Sequence, residues 1–498
     1  MAKQLVHLKG SPNFTNLRAD YTPLMEASCG GHAEIVKFLL DQGADINAVS
    51  STQNTALTYA CGGGHLQCVS VLLAYNCDIT MQNSNGHCAL MVAASSGYAD
   101  IVHLLVKAGA SPTAKTLQCD FKVGVESPLT LASFKGHSDV VRYLLKNGAN
   151  QRPEELHTAL MEASMDGQLE VAKLLLDNGA PVSMVSESFE SPLTLAASGG
   201  HPELINLLLD HGADIEEPND EGYTPLMESC REGHLVGSLL KFLLTMIMRK
   251  STTVDMRLWD CVEILLDKGA QINAQTEESG ETALTLATCA GSKPVVELLL
   301  KRGADLNIGS NTPLMEACQE GHLEIAKYLI DEGIRRKGLP IDATTAANET
   351  ALTYAAESGH LDICALLIEL GAKVDHEASG GQTALMKAAK NGNYGVVQFL
   401  IMRGAQVNKI SKNNEATALS LACAGGYWEI VRLLLDHGAD PCLVLKDGTT
   451  CVIEASRNGH TRIVETLLNW HGNSQLRPYF KKASTIMHKK RSKKVIYC

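Results

Sequence analysis

Thr22-Pro23-Leu24-Met25-Glu26-Ala27 opens a phrase that returns along most of the chain. It recurs from Thr55, Cys88, Ser127, Thr158, Ser191, Thr224, Thr282, Thr312, Thr350, Thr383, Thr417 and Thr450, most often at a spacing of 33 residues. Nine or ten residues into each unit comes Gly-His or a variant, as in Gly31-His32, Gly64-His65 and Gly459-His460. An apolar segment follows and ends in Gly-Ala-Asp or similar, as in Gly43-Ala44-Asp45. A fixed period of this length marks units that cannot bury their apolar face alone and must stack on their neighbours.

Each part of the phrase has a local reason. Thr or Ser is a good helix N-cap, and proline next to it is pre-set for the first helical position. The first helix is short and ends near the glycine of Gly-His, where a left-handed residue is tolerated. A second helix carries Ile35, Val36, Leu39 and Leu40 at helical spacing and stops at Gly43. Asn85-Gly86, Ser279-Gly280 and Asp447-Gly448 then predict tight hairpin turns before the next unit.

The residue two before the unit's second Ala position alternates. Met25, Met91, Met161, Met227, Met315 and Met386 take turns with Thr58, Thr130, Thr194, Thr285, Thr353 and Ser420. The sequence period is therefore two units, and large against small side chains would let neighbouring layers interdigitate.

Composition narrows the function. The chain has 498 residues, 45% of them hydrophobic and only 5% aromatic, so the core rests on Leu, Ala, Ile and Val. Net charge is −12, but the eight basic and no acidic residues after His471 conceal a stronger imbalance. The remaining 35 basic and 55 acidic residues give residues 1–471 a charge of −20. Such a body repels phosphate and makes direct nucleic-acid binding by residues 1–471 an unfavoured reading. Fifteen cysteines stand singly with no CxxC pair, the usage of reduced thiols inside the cell. The longest apolar stretch, Leu235 to Met248, is interrupted by Lys241 and is too short for a membrane span. A cytoplasmic protein, with a nuclear pool as a further option, is the expectation, and no membrane insertion.

The repeated phrase resembles the ankyrin repeat, whose opening reads T-P-L-H-x-A at the same period. The resemblance covers roughly residues 20–471 and implies an all-α solenoid of about thirteen helix-turn-helix units with short β-hairpin connections and a concave binding face. The family's His at the fourth position of the phrase is absent in every unit here. The Met/Thr alternation, with Asp220-Glu221-Gly222-Tyr223 before Thr224, is similar to the large multiple-ankyrin scaffold and adaptor proteins that also carry one KH domain. No KH-like glycine loop is found, so RNA binding is not carried over, and the chain then corresponds to one ankyrin block. An RNA-associated regulator of the ankyrin/KH type lacking its KH domain is the alternative reading.

Helical geometry selects a candidate binding strip. With the capping Thr counted as position 4, positions 6, 9, 10 and 13 form the packing side, and positions 8, 11 and 12 point away. The partner-binding candidates are Glu26, Tyr59, Glu162, Leu195, Glu228, Arg231, Glu232, Leu286, Glu316, Gln319, Glu320, Tyr354, Lys387 and Lys390. Acidic and apolar residues alternating along one face outline a groove for proteins or peptides. The Gly-His histidines are replaced by Tyr98, Gln168, Ser292, Asn393 and Tyr427 in five units, a freedom that suits turn hydrogen bonding and not a metal or catalytic role. No HExxH, GxSxG or Walker motif is present. No catalytic, cofactor or metal site is expected, and the protein is expected to be monomeric. By the ankyrin resemblance, Asn47, Asn273, Asn307 and Asn408 are similar to targets of asparaginyl hydroxylation.

Three segments break the pattern. Residues 1–20 are a lead-in. Residues 236–259 interrupt the seventh unit inside its second helix, and a retained intron or gene-model error is favoured over an apolar binding insert. Residues 472–498 are read as a disordered basic tail or a translated non-native terminus, in preference to an import signal at Lys489–Lys494.

Overall fold

The structure is a computed structural model and describes residues 13, 21–116, 126–184, 190–231, 251–336, 340–412, 416–446 and 448–470, with backbone alone at 251–256. The rest of the 1–20 lead-in, residues 236–250 of the interruption and the 472–498 tail lie outside the described residues. Two compact units divide the described residues, the first ending at Ala270 and the second running from Gln271.

The first unit holds seven helix pairs among its described residues. They are α1 Pro23–Cys29 with α2 Ala33–Asp41, α3 Ala56–Gly62 with α4 Leu66–Ala74, and α5 Ala89–Ser95 with α6 Ala99–Lys107. Then come α7 Pro128–Phe134 with α8 Ser138–Leu144, α9 Pro153–Met165 with α10 Leu169–Asp177, α11 Pro192–Ser198 with α12 Pro202–Asp210, and α13 Pro225–Arg231 with α14 Ser251–Asp267. The second unit holds six: α15 Ala283–Cys289 with α16 Lys293–Lys301, α17 Pro313–Glu320 with α18 Leu323–Arg335, and α19 Ala351–Ser358 with α20 Leu361–Glu369. It continues with α21 Ala384–Asn391 and α22 Tyr394–Met402, α23 Ala418–Gly425 and α24 Trp428–Asp436, and α25 Cys451–Asn458 and α26 Thr461–Asn469. Within each unit, every first helix packs on the first helices of its neighbours and on its own second helix.

The caps form as the phrase predicts. The Thr55 hydroxyl accepts from the Thr58 N–H at 3.2 Å. In return Thr58 Oγ1 accepts from the Thr55 N–H at 2.7 Å and donates to the Thr55 carbonyl at 2.8 Å. Thr130, Thr194, Thr285, Thr353 and Ser420 repeat this reciprocal bond. The Met/Thr alternation thus has a second cause besides size. In alternate units a hydroxyl closes the capping box; in the others Met stands at this place, and Met25 and Met315 turn Sδ to the cap N–H at a longer 3.5 Å. Thr158 departs from the pattern: α9 begins five residues earlier, at Pro153, and the Thr158 hydroxyl donates to the Glu154 carbonyl at 2.9 Å.

Burial follows the helical stripes. Leu24, Val36, Leu39, Leu57, Val69 and Leu72 are at most 1% exposed, and the same positions are filled alike in later pairs. Each such side chain contributes about 1.5–3 kcal/mol of burial. Ten of the thirteen described cysteines are buried, among them Cys77, which burial pushes up to about 11, and Cys364, pushed up to about 12. These thiols act as small core side chains.

Among the described residues the hairpin connections close as short turns, without β-strands. Among the described residues the one bridge of β type joins Gln82 and Cys88. Elsewhere a turn is closed by one backbone bond to the residue just before the cap, as in Ser50 N–H to the Asn54 carbonyl and Asn219 N–H to the Tyr223 carbonyl, both 3.0 Å. Gly86 and Gly280 supply the positive φ that these turns need.

The seventh pair carries the interruption. α14 has 17 residues against the usual nine, and Cys261, Val262 and Leu265 return to the buried register. Leu258 then lies beside Gly200, where other pairs place a histidine or its substitute against the preceding glycine. Among the described residues no helix is long and apolar enough to cross a membrane.

Candidate functional site

Position 8 falls one turn into each first helix except α9, whose early start puts Glu162 near its C-terminal end. In the first unit Glu26 is exposed, and Tyr59 and Leu195 are half-buried. The Tyr59 hydroxyl lies 3.1 Å from Ser50 Oγ, and its ring lies 5.1 Å from that of Tyr21. Glu162 is half-buried, and burial, together with the nearby Glu126 carboxylate, raises its pKa. Glu126 itself is held by His87 Nε2 at 2.5 Å.

Glu228 does not join an open strip. It is 3% exposed, accepts from Asn219 Nδ2 at 3.0 Å and pairs with Arg231 at 3.4 Å. Arg231 also pairs with Glu221 and sits 4.6 Å over the Tyr223 ring. Burial opposes the Arg231 charge, but Glu228 and Glu221 outweigh it and raise its pKa. Glu232 lies outside the described residues.

In the second unit Glu316, Gln319, Glu320 and Tyr354 are half-buried and Lys390 is exposed. Asn311 Nδ2 donates to Glu316 Oε1 at 2.8 Å, and the Tyr354 hydroxyl donates to Asn311 Oδ1 at 3.2 Å. Burial raises the Glu316 pKa, and Glu281 and Glu320 add to the rise. Leu286 and Lys387 are buried, at 6% and 7% exposure. Lys387 Nζ lies 2.8 Å from Glu349 and 2.6 Å from Glu357.

Three candidates for an exposed strip, Glu228, Leu286 and Lys387, are therefore covered. For the two charged ones the reason lies in side chains that the helical count left out: Asn219 in the preceding turn meets Glu228, and Glu349, the residue before the Thr350 cap, meets Lys387. Tyr223, Glu281, Glu349, His87, Glu126 and Asn311 all hold this position before a cap, and Tyr223, Glu349 and Asn311 meet Arg231, Lys387 and Glu316. Their signal was present in the sequence, since they are one fixed position, immediately before the capping Thr, Ser or Cys, and are polar or aromatic.

The Gly-His histidines serve the stack and not one turn. His65, His137, His322, His360 and His460 place Nε2 at 2.8–3.1 Å from a carbonyl at the end of the preceding first helix. Asn393, a substitute, donates to the Ala356 carbonyl at 3.0 Å. Gln168 reaches the Phe134 carbonyl at 3.5 Å in the same way, so an amide N–H can replace the imidazole at this joint.

The candidate asparagines lie in the connections between helix pairs. Asn47, Asn273 and Asn408 accept, through Oδ1, the backbone N–H of Asp78, Asp305 and Asp440 in the next repeat, at 2.8–3.0 Å. Asn307 instead donates its own N–H to Asp305 Oδ1 at 2.9 Å.

Comparison with known proteins agrees with this geometry. The family described as "Ankyrin repeats (3 copies)" matches residues 24–116, 113–186, 182–253, 255–339, 337–411 and 408–477. Human "Ankyrin repeat and KH domain-containing protein 1" is 51% identical over 201 residues, which are 40% of this chain and 8% of that protein. "Ankyrin repeat and KH domain-containing protein mask-1" of Caenorhabditis elegans is 35% identical over 494 residues, 90% of this chain and 17% of that protein. The chain thus spans less than a fifth of either relative. Among solved structures, the human ASB11 ankyrin repeat domain is similar at 30% identity and a TM-score of 0.38, over 41% of this chain and 90% of that one. Matched along nearly all its length by one repeat family, this chain belongs to the ankyrin-repeat family, and it resembles the ankyrin/KH proteins over their ankyrin portion.

Proposed function

We propose that this chain is an intracellular scaffold or adaptor that binds partner proteins on the face carrying its first helices and the turns beside them, without catalysing a reaction itself. The observation that carries this reading is how the surfaces are used. The apolar stripes of the second helices are spent on stacking, while the first-helix strip keeps half-buried Tyr59, Glu162, Leu195, Glu316 and Tyr354 at the surface. Such a mixed strip, repeated layer after layer, suits an extended peptide or a helix better than a small molecule. The negative body favours neutral or basic partners over phosphate. A cytoplasmic place and a monomeric state accord with this role. Hydroxylation at Asn47, Asn273, Asn307 or Asn408 would act on the connections between helix pairs.

Affinity capture from cell extract with and without RNase tests the proposal. Partners retained after RNase support it, and loss of every partner after RNase would favour the RNA-associated alternative. Capture repeated with Tyr59→Ala and Leu195→Ala chains should lose partners if the strip is the binding face.

A further inference from the structure

Among the charged side chains at position 8, the charges of Glu228 and Lys387 are answered inside the fold, by Arg231 with Asn219 and by Glu349 with Glu357. Glu454 meets Arg457 at 2.8 Å, and Glu316 accepts from Asn311 at 2.8 Å. Glu162 differs. It is half-buried, meets no cation or hydrogen-bond donor among the described residues, and stands between Leu131 and Leu195, the half-buried position-8 residues of the helices packed on either side of α9. Burial and the Glu126 carboxylate raise its pKa, as expected of a half-buried carboxylate beside another.

We propose that this apolar–acidic–apolar face on α7, α9 and α11 is the specificity subsite of the binding strip, and that it takes an extended peptide with Arg or Lys at its centre and an apolar residue about three positions to each side. The inference deepens the proposed function and rests on it. Packed helices lie about 8–10 Å apart. Three residues of extended or polyproline chain cover about 9–10 Å. An occupant in that form therefore meets Leu131, Glu162 and Leu195 in step. The central cation supplies the charge complementarity, and the nearby Glu126 carboxylate adds to the field it meets. A helical occupant rises only 1.5 Å per residue and would need apolar anchors six or seven residues from the cation. An acidic or phosphorylated peptide is repelled.

The test uses the full chain and a fluorescent seven-residue probe with leucine at each end, arginine in the middle and proline between. A matched probe carries norleucine in place of arginine. The expected result is that the arginine probe binds, that Glu162→Gln weakens it about tenfold, as for loss of one charge-assisted bond, and that the norleucine probe binds both chains equally. Glu162→Gln keeps the shape and removes a desolvated charge, so circular dichroism should show an intact fold. Equal binding of the arginine probe to both chains would overturn the inference, as would an equal loss for the two probes. If captured partners bind the Glu162→Gln chain undiminished, the subsite falls and the scaffold reading stands. If no partner binds the unaltered chain, both fall.

Discussion

His65 Nε2 lies 2.8 Å from the carbonyl oxygen of Cys29, which ends the first helix of the preceding repeat. Gly31 makes this approach possible. A Cβ there would stand 2.5 Å from His65 Nδ1, and φ is +74°. The repeated Gly-His pair is thus one joint between layers. Glycine of one repeat clears the space, and histidine of the next fills it and bonds the carbonyl that the helix end leaves open.

His65→Ala should accordingly lower the stability of the first layers by about 1 kcal/mol, the worth of one such bond. Gly31→Ala should cost more, because it adds the steric clash to a backbone strain of about 1–2 kcal/mol. In the double variant the clash disappears, so the two losses should sum to less than their separate values. Amide exchange across α1 and α2 measures the effect. Strictly additive losses would show that the two residues do not share one joint.

Thr58→Val tests the reciprocal cap of α3. Valine keeps the branched shape but loses the acceptor for the Thr55 N–H. The expected cost is about 1 kcal/mol, with faster exchange of the Thr55 amide as the local signature. An unchanged amide would mean that size alone governs the Met/Thr alternation.

The sequence made this much of the fold legible because caps, glycines and stripes are local. Thr55, Gly31 and Leu39 each act within a turn or two of helix, and their spacing reports the period directly. The surface strip was less legible. A helical count places Glu228 and Lys387 opposite the packing side, and that is true of an isolated helix. Their burial is set by Asn219, Tyr223 and Glu349, which belong to turns, and by Glu357 of the adjoining repeat. Position 8 therefore reads as open or covered according to its neighbours across a layer, which the phrase of a single repeat does not carry. The early start of α9 was hidden for a similar reason. Pro153-Glu154-Glu155 is a good helix opening, yet the repeat register points to Thr158.

Lys387→Met should be strongly destabilising. It removes the cation that answers Glu349 and Glu357 at 2.8 and 2.6 Å, in a place 7% exposed, and leaves the Glu349 carboxylate buried beside an apolar chain. Breaking one side of a buried pair costs about 3–5 kcal/mol, and the half-open position of Glu357 places this case near the lower end. Adding Glu349→Gln should recover much of the loss, since the double variant buries no unpaired charge. Urea denaturation of the three chains reads the cycle. A double variant no better than Lys387→Met would show that the pair is not the cause.

The raised pKa of Glu162 makes a prediction with a definite sign. Burial and Glu126 hold its folded pKa above the unfolded value. A group raised in this way favours the fold when protonated and works against it when ionised, so its contribution is present below the unfolded pKa of about 4.3 and is lost as pH rises through the folded value. Glutamine imitates the protonated form at every pH. The Glu162→Gln chain should therefore melt at a higher temperature than the unaltered chain at pH 7, and the gap should close below about pH 4. The same comparison at Glu316 should give a smaller gap, because the Asn311 amide already supports that carboxylate. Thermal melts of the chains at pH 7 and near pH 4 measure both. A Glu162→Gln chain that melts lower at pH 7 would mean that the carboxylate already has a partner in the free protein, and with it the argument for an incoming cation would fail.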